Sequence, residues 1–189
     1  MEGHAKIAQQ SRTWIIDAFF ELLSEQSYEA LTVKAIADRA QLSRRTFYRF
    51  FEDKAAILDY LGQQFLADYA KKLQGLNPET VTFDEIVVLF FRFMWDRRLQ
   101  LRLLIQQNLF MRQLPKAITK APKLYQKFEA PWHHARSVDQ VELLMTFMLG
   151  GYWGVINGWL AQEQPAPPEE MANNLLLTLK NRSLRDSVD

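Results

Sequence analysis

Thr32-Val33-Lys34-Ala35-Ile36-Ala37-Asp38-Arg39-Ala40-Gln41-Leu42-Ser43-Arg44-Arg45-Thr46-Phe47-Tyr48-Arg49-Phe50-Phe51 is the stretch that decides how this chain folds. Two hydroxyl residues, Thr32 and Ser43, each stand just ahead of a run with helical spacing. There a side-chain oxygen can accept an orphan N–H of the first helical turn. The spacing predicts one short helix over 33–39 and a second from 44 to about 50, separated by the break Ala40-Gln41-Leu42. Ala37 is the small residue where the second helix would cross the first, and Val33, Ile36, Ala40, Leu42 and Phe47 are the apolar residues that would lock the crossing. Ser43, Arg44, Arg45, Thr46, Tyr48 and Arg49 are left facing outward, a face suited to a DNA major groove about 12 Å wide. Between Asp38 and Lys54 the cations Arg39, Arg44, Arg45, Arg49 and Lys54 outnumber the acids Asp38, Glu52 and Asp53. Arginine forks pair with guanine edges or phosphates, whereas hydroxyls suit phosphates.

Upstream, Trp14, Ile15, Ala18, Phe19, Leu22 and Leu23 recur at three- and four-residue intervals, an amphipathic helix over Ile7–Gln26 that Ser27-Tyr28-Glu29 ends. Downstream, Glu52 or Asp53 starts a longer helix through Leu73, closed by Gly75-Leu76-Asn77-Pro78. Thr82 caps an apolar helix to about Trp95, hydrophobic almost all round and therefore placed at the centre of a bundle. A helix is expected over Leu99–Leu114, then a looser region punctuated by Pro115, Pro122 and Pro131, then a long glycine-bearing helix over Asp139–Gln162. Pro165-Ala166-Pro167-Pro168 ends it, and Pro168 suits the first position of a last helix through Lys180. The expected fold is all-α: a three-helix helix-turn-helix domain over 7–65, then a larger helical domain over 66–182 for dimerisation and ligand binding.

Composition narrows the function. Lys and Arg (23) nearly balance Asp and Glu (22) over 189 residues, so any basic surface must be local. The absence of cysteine excludes disulfides, thiolate zinc sites and cysteine nucleophiles. No Gly-x-Ser-x-Gly elbow, phosphate-cradling loop, dinucleotide fingerprint or His-Glu-x-x-His helix occurs, so neither catalytic residues nor a cofactor are expected. Glu169-Glu170 fall in a helix's first turn, where the macrodipole explains them. The adjacent His133-His134 would point about 100° apart on a helix and share one ion poorly, so no metal site is expected. Met1–Lys6 lack the apolar block of a secretory signal, and a cytoplasmic location is expected. Leu143–Ala161 approaches bilayer-spanning length and carries Gly150, Gly154 and Gly158 at four-residue spacing. Asn157 in its middle, Glu142 and Glu163 at its ends, and no close cationic anchor favour a buried helix at a subunit interface over a membrane span.

The ordered set Thr32–Ala37, Ala40–Ser43, Thr46–Phe51 and Lys54 resembles the N-terminal domain of TetR-family regulators, over about Ile7 to Phe65. The resemblance implies that Thr32, Ser43, Tyr48 and Lys54 touch phosphates, and that Arg44, Arg45 and Thr46 read bases or line the groove, with Arg49 on the same face. Three positions depart from the motif. Gln41 stands where glycine is usual, which costs on the order of 1 kcal/mol if the backbone there is left-handed. Phe50 replaces a common histidine, and Arg45 a common glycine. The Gly150–Leu160 stretch followed by Pro168 resembles the last two helices of one C-terminal type in the family. This implies a homodimer interface of two helices per subunit, with Gly150, Gly154, Gly158, Leu175, Leu176 and Leu179 in it. The family further implies a pocket for a small apolar or aromatic effector, for which Phe90, Phe91, Met94, Trp95, Trp132 and Trp153 are the candidate lining. The function expected is a DNA-binding transcriptional repressor acting on a pseudo-palindromic operator. The alternative is a TetR-like co-regulator that acts through a partner protein with little DNA binding.

Overall fold

The computed structural model describes residues 2–127 and 137–185, and among them there are helices and no strands. The chain divides into two compact units, Met1–Gln64 and Phe65–Asp189.

In the first unit, α1 (Glu2–Glu25) buries Ile15, Ala18, Phe19, Leu22 and Leu23, the stripe its spacing predicts. Trp14 departs from that stripe and lies 46% exposed. The short helices α2 (Val33–Arg39) and α3 (Arg44–Phe50) follow, and α2 packs on both α1 and α3. Ile36, Ala37 and Phe47 are fully enclosed at these crossings, while Val33 and Leu42 are half-buried. The turn between α2 and α3 is closed by two backbone bonds, Gln41 N–H to the Asp38 carbonyl and Leu42 N–H to the Ala37 carbonyl. This pattern requires a left-handed residue just past the helix end. Gln41 adopts it, with φ of 54°. A glycine would sit there without strain.

Helix α4 (Lys54–Gln74) begins in the first unit and ends in the second. In the second unit α5 (Phe83–Asp96) starts with a capping box, in which Thr82 accepts from Glu85 N–H and Glu85 accepts from Thr82 N–H. It buries Val87, Phe90, Phe91, Phe93 and Met94, and its neighbours are α6 (Arg98–Gln106) and α9 (Pro168–Arg185). The helix expected over Leu99–Leu114 is in fact interrupted. α6 stops at Gln106, Asn108 takes a φ of 54°, and Leu109 N–H bonds the Leu104 carbonyl. The same closure ends α2, here with an asparagine, which tolerates the left-handed region better. A 3-10 turn (Met111–Gln113) leads into α7 (Leu114–Lys127). Pro115 and Pro122 therefore lie inside a helix rather than in a loose region. Pro115 fits because it sits in the first turn, where an N–H has no helical partner anyway. Pro131 lies outside the described residues.

The long helix α8 (Val138–Ala161) is capped by Ser137 and packs on α6 and α7. Trp153 stacks on Phe110 at 5.1 Å and donates its indole N–H to the Phe110 carbonyl, so a large ring is buried with its polar atom satisfied. Trp159 does likewise with the Ala166 carbonyl and stacks on Trp95. Arg102 donates to the Leu160 and Gln162 carbonyls, satisfying acceptors at the end of α8.

Candidate nucleic-acid interface

The outward face of α3 is built from its two ends. Ser43 takes an extended conformation and accepts from Thr46 N–H at 3.0 Å, which fixes where the first turn begins. Its oxygen also lies 2.9 Å from the Thr46 hydroxyl. Thr32 caps α2 in the same way, accepting from Ala35 N–H at 3.1 Å. A capping hydroxyl accepts with its oxygen and still carries an O–H to donate. Neither α2 nor α3 has an acid in its first turn, whereas α5, α8 and α9 all do. Phe47 holds α3 from beneath, and Tyr48, packed edge-on against Phe47, is left 52% exposed. Arg44, Arg45 and Arg49 project into solvent, and Thr46 is half-buried.

The arginines of this unit, together with Lys34, fall into two sets. Lys34 pairs with Asp38 at 2.9 Å. Arg39 is bracketed by Glu25 and Glu21 on α1 at 2.8 and 3.3 Å. The hydrogen bond from Arg39 lowers the Glu25 carboxyl below its ordinary 4.5, and Glu25 in turn raises the Arg39 guanidinium. Arg39 is thus neutralised, and its work is to tie α2 to α1. By contrast, Arg12, Arg44, Arg45 and Arg49 have no carboxylate partner among the described residues.

Lys54 is engaged within the unit. Its ammonium donates to the carbonyls of Tyr28, Leu31 and Glu29 at 2.6, 2.8 and 3.1 Å and lies 4.5 Å from the centre of the Tyr28 ring. An ammonium has three donors. All three are occupied by the loop between α1 and α2, which Lys54 fastens to the start of α4.

One residue that sequence reasoning passed over joins the set. The Arg12 guanidinium of α1 lies 5.3 Å from the centre of the Phe50 ring and 5.1 Å from that of Tyr60. Arg49 lies 4.8 Å from the same Phe50 ring. Only the departure at Phe50 hinted at it, since an aromatic ring there can seat cations.

In the second unit the glycines of α8 face open space. A methyl group added at Gly150, Gly151, Gly154 or Gly158 would meet nothing within 4 Å. Leu143 (73% exposed), Phe147 (78%), Gly151, Gly154, Gly158 and Ala161 form one stripe along α8 at helical spacing. Gly150 is half-buried at its edge. On α9, Leu179 is exposed and Leu175 half-buried, but Leu176 is turned into this chain's own core, and Leu177 is the exposed leucine in its place. α8 is long and apolar enough to cross a membrane by length and composition, and 22% of that window is buried.

Of the candidate pocket residues, Phe91 and Met94 are fully enclosed and Trp153 is buried and stacked on Phe110. Trp95 borders an open groove of about 520 Å³ with Lys72, Leu89, Arg92, Phe93, Asp96, Pro168 and Glu169. Trp132 and the pair His133-His134 lie outside the described residues. Phe90 stands between two tyrosines, Tyr69 at 5.6 Å and Tyr152 at 5.2 Å. Burial raises both phenols, Tyr152 to about 12 and Tyr69 further with a contribution from Tyr152. Neither hydroxyl has a hydrogen-bond partner among the described residues.

Two short capped helices crossing at a small residue, the second presenting arginines outward, define a helix-turn-helix protein. Residues 15–61 match the model of bacterial regulatory proteins of the tetR family. The chain is 41% identical over 44 residues to an uncharacterized HTH-type transcriptional regulator, YdeS, of Bacillus subtilis, covering 23% of this chain and 22% of that protein. It is 38% identical over 58 residues to the HTH-type transcriptional repressor KstR of Mycobacterium tuberculosis, covering 30% and 26%. These matches span about a quarter of each relative's length. Across the whole fold it is similar to the crystal structure of a TetR transcriptional regulator from Streptococcus agalactiae, with a TM-score of 0.62, 22% identity, and 94% and 97% of the two chains covered. The match to the TetR family thus lies in the N-terminal domain, about a quarter of the chain, and the fold as a whole is similar to that of a TetR regulator.

Proposed function

We propose that this chain is a sequence-specific DNA-binding transcriptional repressor that grips a pseudo-palindromic operator as a homodimer through α3. The observation that carries the reading is the sorting of charge in the first unit. Lys34 and Arg39 are neutralised by acids, while Arg44, Arg45 and Arg49 on the outer face of α3 are left to meet an anion. Thr32, Ser43 and Tyr48 would donate to phosphates at the rim, and Arg44, Arg45 and Thr46 would face the bases.

The open stripe on α8 supports the dimer. Glycine inside a helix costs up to about 1 kcal/mol relative to alanine. Among the described residues no contact accounts for Gly150, Gly151, Gly154 and Gly158, whereas close approach of a second copy of α8 would. Gly150, Gly154, Gly158, Leu175 and Leu179 keep their place at this proposed interface, joined by Leu143, Phe147, Gly151 and Leu177. A two-fold pair then presents two reading helices to two half-sites. Tyr69 and Tyr152 on either side of Phe90 suit an effector that is small, apolar or aromatic, and carries a hydrogen-bond acceptor. Such a ligand acts by favouring one of two subunit spacings, so its coupling to DNA is reciprocal.

A gel shift of the purified chain against fragments of its own genome tests the reading. A small set of retarded fragments is expected. Retardation of none would favour the co-regulator alternative.

A further inference from the structure

We propose that Arg12 of α1 and Arg49 of α3, both seated on the Phe50 ring, form a clamp for one stretch of the DNA sugar-phosphate backbone. The proposal rests on the DNA-binding reading and adds to it a contact from a helix outside the helix-turn-helix. Two like-charged guanidiniums lie 5.3 and 4.8 Å from the centre of one ring, an arrangement that repels itself unless an anion joins it. Elsewhere in the same unit an arginine is neutralised by acids, as Glu21 and Glu25 neutralise Arg39. At Phe50 no carboxylate plays that part among the described residues, and beyond the rings the Arg12 guanidinium meets the neutral Gln9 side chain at 3.1 Å.

The ring does more than tolerate the cations. The face of an aromatic ring attracts a guanidinium, and the N–H groups at the guanidinium's edge stay available. Those edges match two oxygens of a phosphate. Phe50 is the last residue of α3 and half-buried, so it is fixed relative to the reading face, and Tyr60 of α4 gives Arg12 a second seat at 5.1 Å. Phe50 is therefore a positioning residue, and Arg12 and Arg49 are the contacts. Because they meet the backbone, they add affinity without sequence preference.

The test measures the affinity of the full-length protein for a selected duplex across a series of salt concentrations. The variants are Arg12→Gln, Arg49→Gln, Arg12→Lys and Phe50→Leu. One lost phosphate contact lowers the slope of log K against log salt by about 0.9 and weakens binding on the order of five-fold near physiological salt. Arg12→Gln and Arg49→Gln should each show that loss, equally on matched and mismatched duplexes, and Arg12→Lys should keep the wild-type slope. Phe50→Leu should lower the slope, and adding Arg12→Gln to it should change little more. An Arg12→Gln slope equal to wild type, or a changed sequence preference, overturns the clamp while leaving DNA binding intact. Wild-type protein that binds no duplex overturns the reading on which the clamp rests. Should Phe50→Leu fail to fold, the two surface glutamine variants still decide the matter.

Discussion

Replacing Lys54 by methionine separates two roles that the same residue can be given. Methionine keeps most of the stem and removes the ammonium, so the Tyr28, Leu31 and Glu29 carbonyls lose their shared donor. A hydrogen bond from a charged donor contributes about 1.5–3 kcal/mol when its partner is well buried, and a neutral one about 1. Here the bonds to Tyr28 and Leu31 are partly buried and the one to Glu29 is exposed, so water replaces the third almost fully. Two bonds at about 1 kcal/mol each, with about 0.5 from the ring contact, give a loss of about 2–3 kcal/mol. For a chain of this length that lowers Tm by roughly 4–10 °C. Thermal unfolding followed by circular dichroism reads the loss, and the salt dependence of DNA binding, measured well below Tm, reads the other role. The expected outcome is a lower Tm with an unchanged salt slope. An unchanged Tm together with a slope reduced by about one would return Lys54 to the phosphates and refute the loop-fastener role.

Three further outcomes follow from single sites. Gln41→Gly relieves about 1–2 kcal/mol of left-handed strain and forfeits about 0.5–1 through the freer unfolded chain. Tm should therefore rise by roughly 1–3 °C, and a fall would mean that the Gln41 side chain makes a contact worth more than the strain. At Gly154 the sign of the effect reports on the dimer. On an open helix face Gly154→Ala would stabilise by up to about 1 kcal/mol, but at a close helix contact it weakens association, and Gly154→Leu should abolish both the dimer and operator binding. Light scattering that finds the leucine variant dimeric with wild-type affinity would remove α8 from the interface. The two raised phenols give a pH dependence. A raised acid group stabilises the fold fully below its unfolded pKa of about 10, and that contribution is lost as pH climbs above it. Phenolate absorbance should show Tyr152 ionising near 12 and Tyr69 later, and replacing both with phenylalanine should remove the late phase. Two tyrosines that titrate with the rest would mean their hydroxyls are solvated.

The helix-turn-helix was legible because its signals are local. Caps at Thr32 and Ser43 and a small residue at Ala37 lie within a few residues of what they control, and the bounds of α2 and α3 follow from them. The break after α6 was harder to see. Asn108 carries the same left-handed closure as Gln41, but no proline or glycine marks it, and α7 runs through two prolines that read as interruptions. Long-range pairing was the least legible layer. Nothing near Arg39 in sequence shows that Glu21 and Glu25 neutralise it. Nothing near Lys54 shows the carbonyls that occupy it, and Arg12 meets Phe50 across 38 residues. Net charge along the stretch therefore identified the basic region but not that Arg39 and Lys54 are engaged within the unit, and it missed Arg12. For α8, spacing gave the glycines but not which way they face. Leu176 and Leu177 are neighbours on α9, and only packing decides which of them is buried.

Selection of genomic DNA by the purified protein, performed side by side with Arg45→Ala, tests the account at its root. Wild type should enrich an inverted repeat whose half-site centres lie about one helical turn, or a multiple of it, apart. Arg45→Ala should lose discrimination at the same base position in both halves while keeping the rest of the motif. A motif untouched by Arg45→Ala, or enrichment of no motif at all, would contradict the claim that the exposed face of α3 reads DNA.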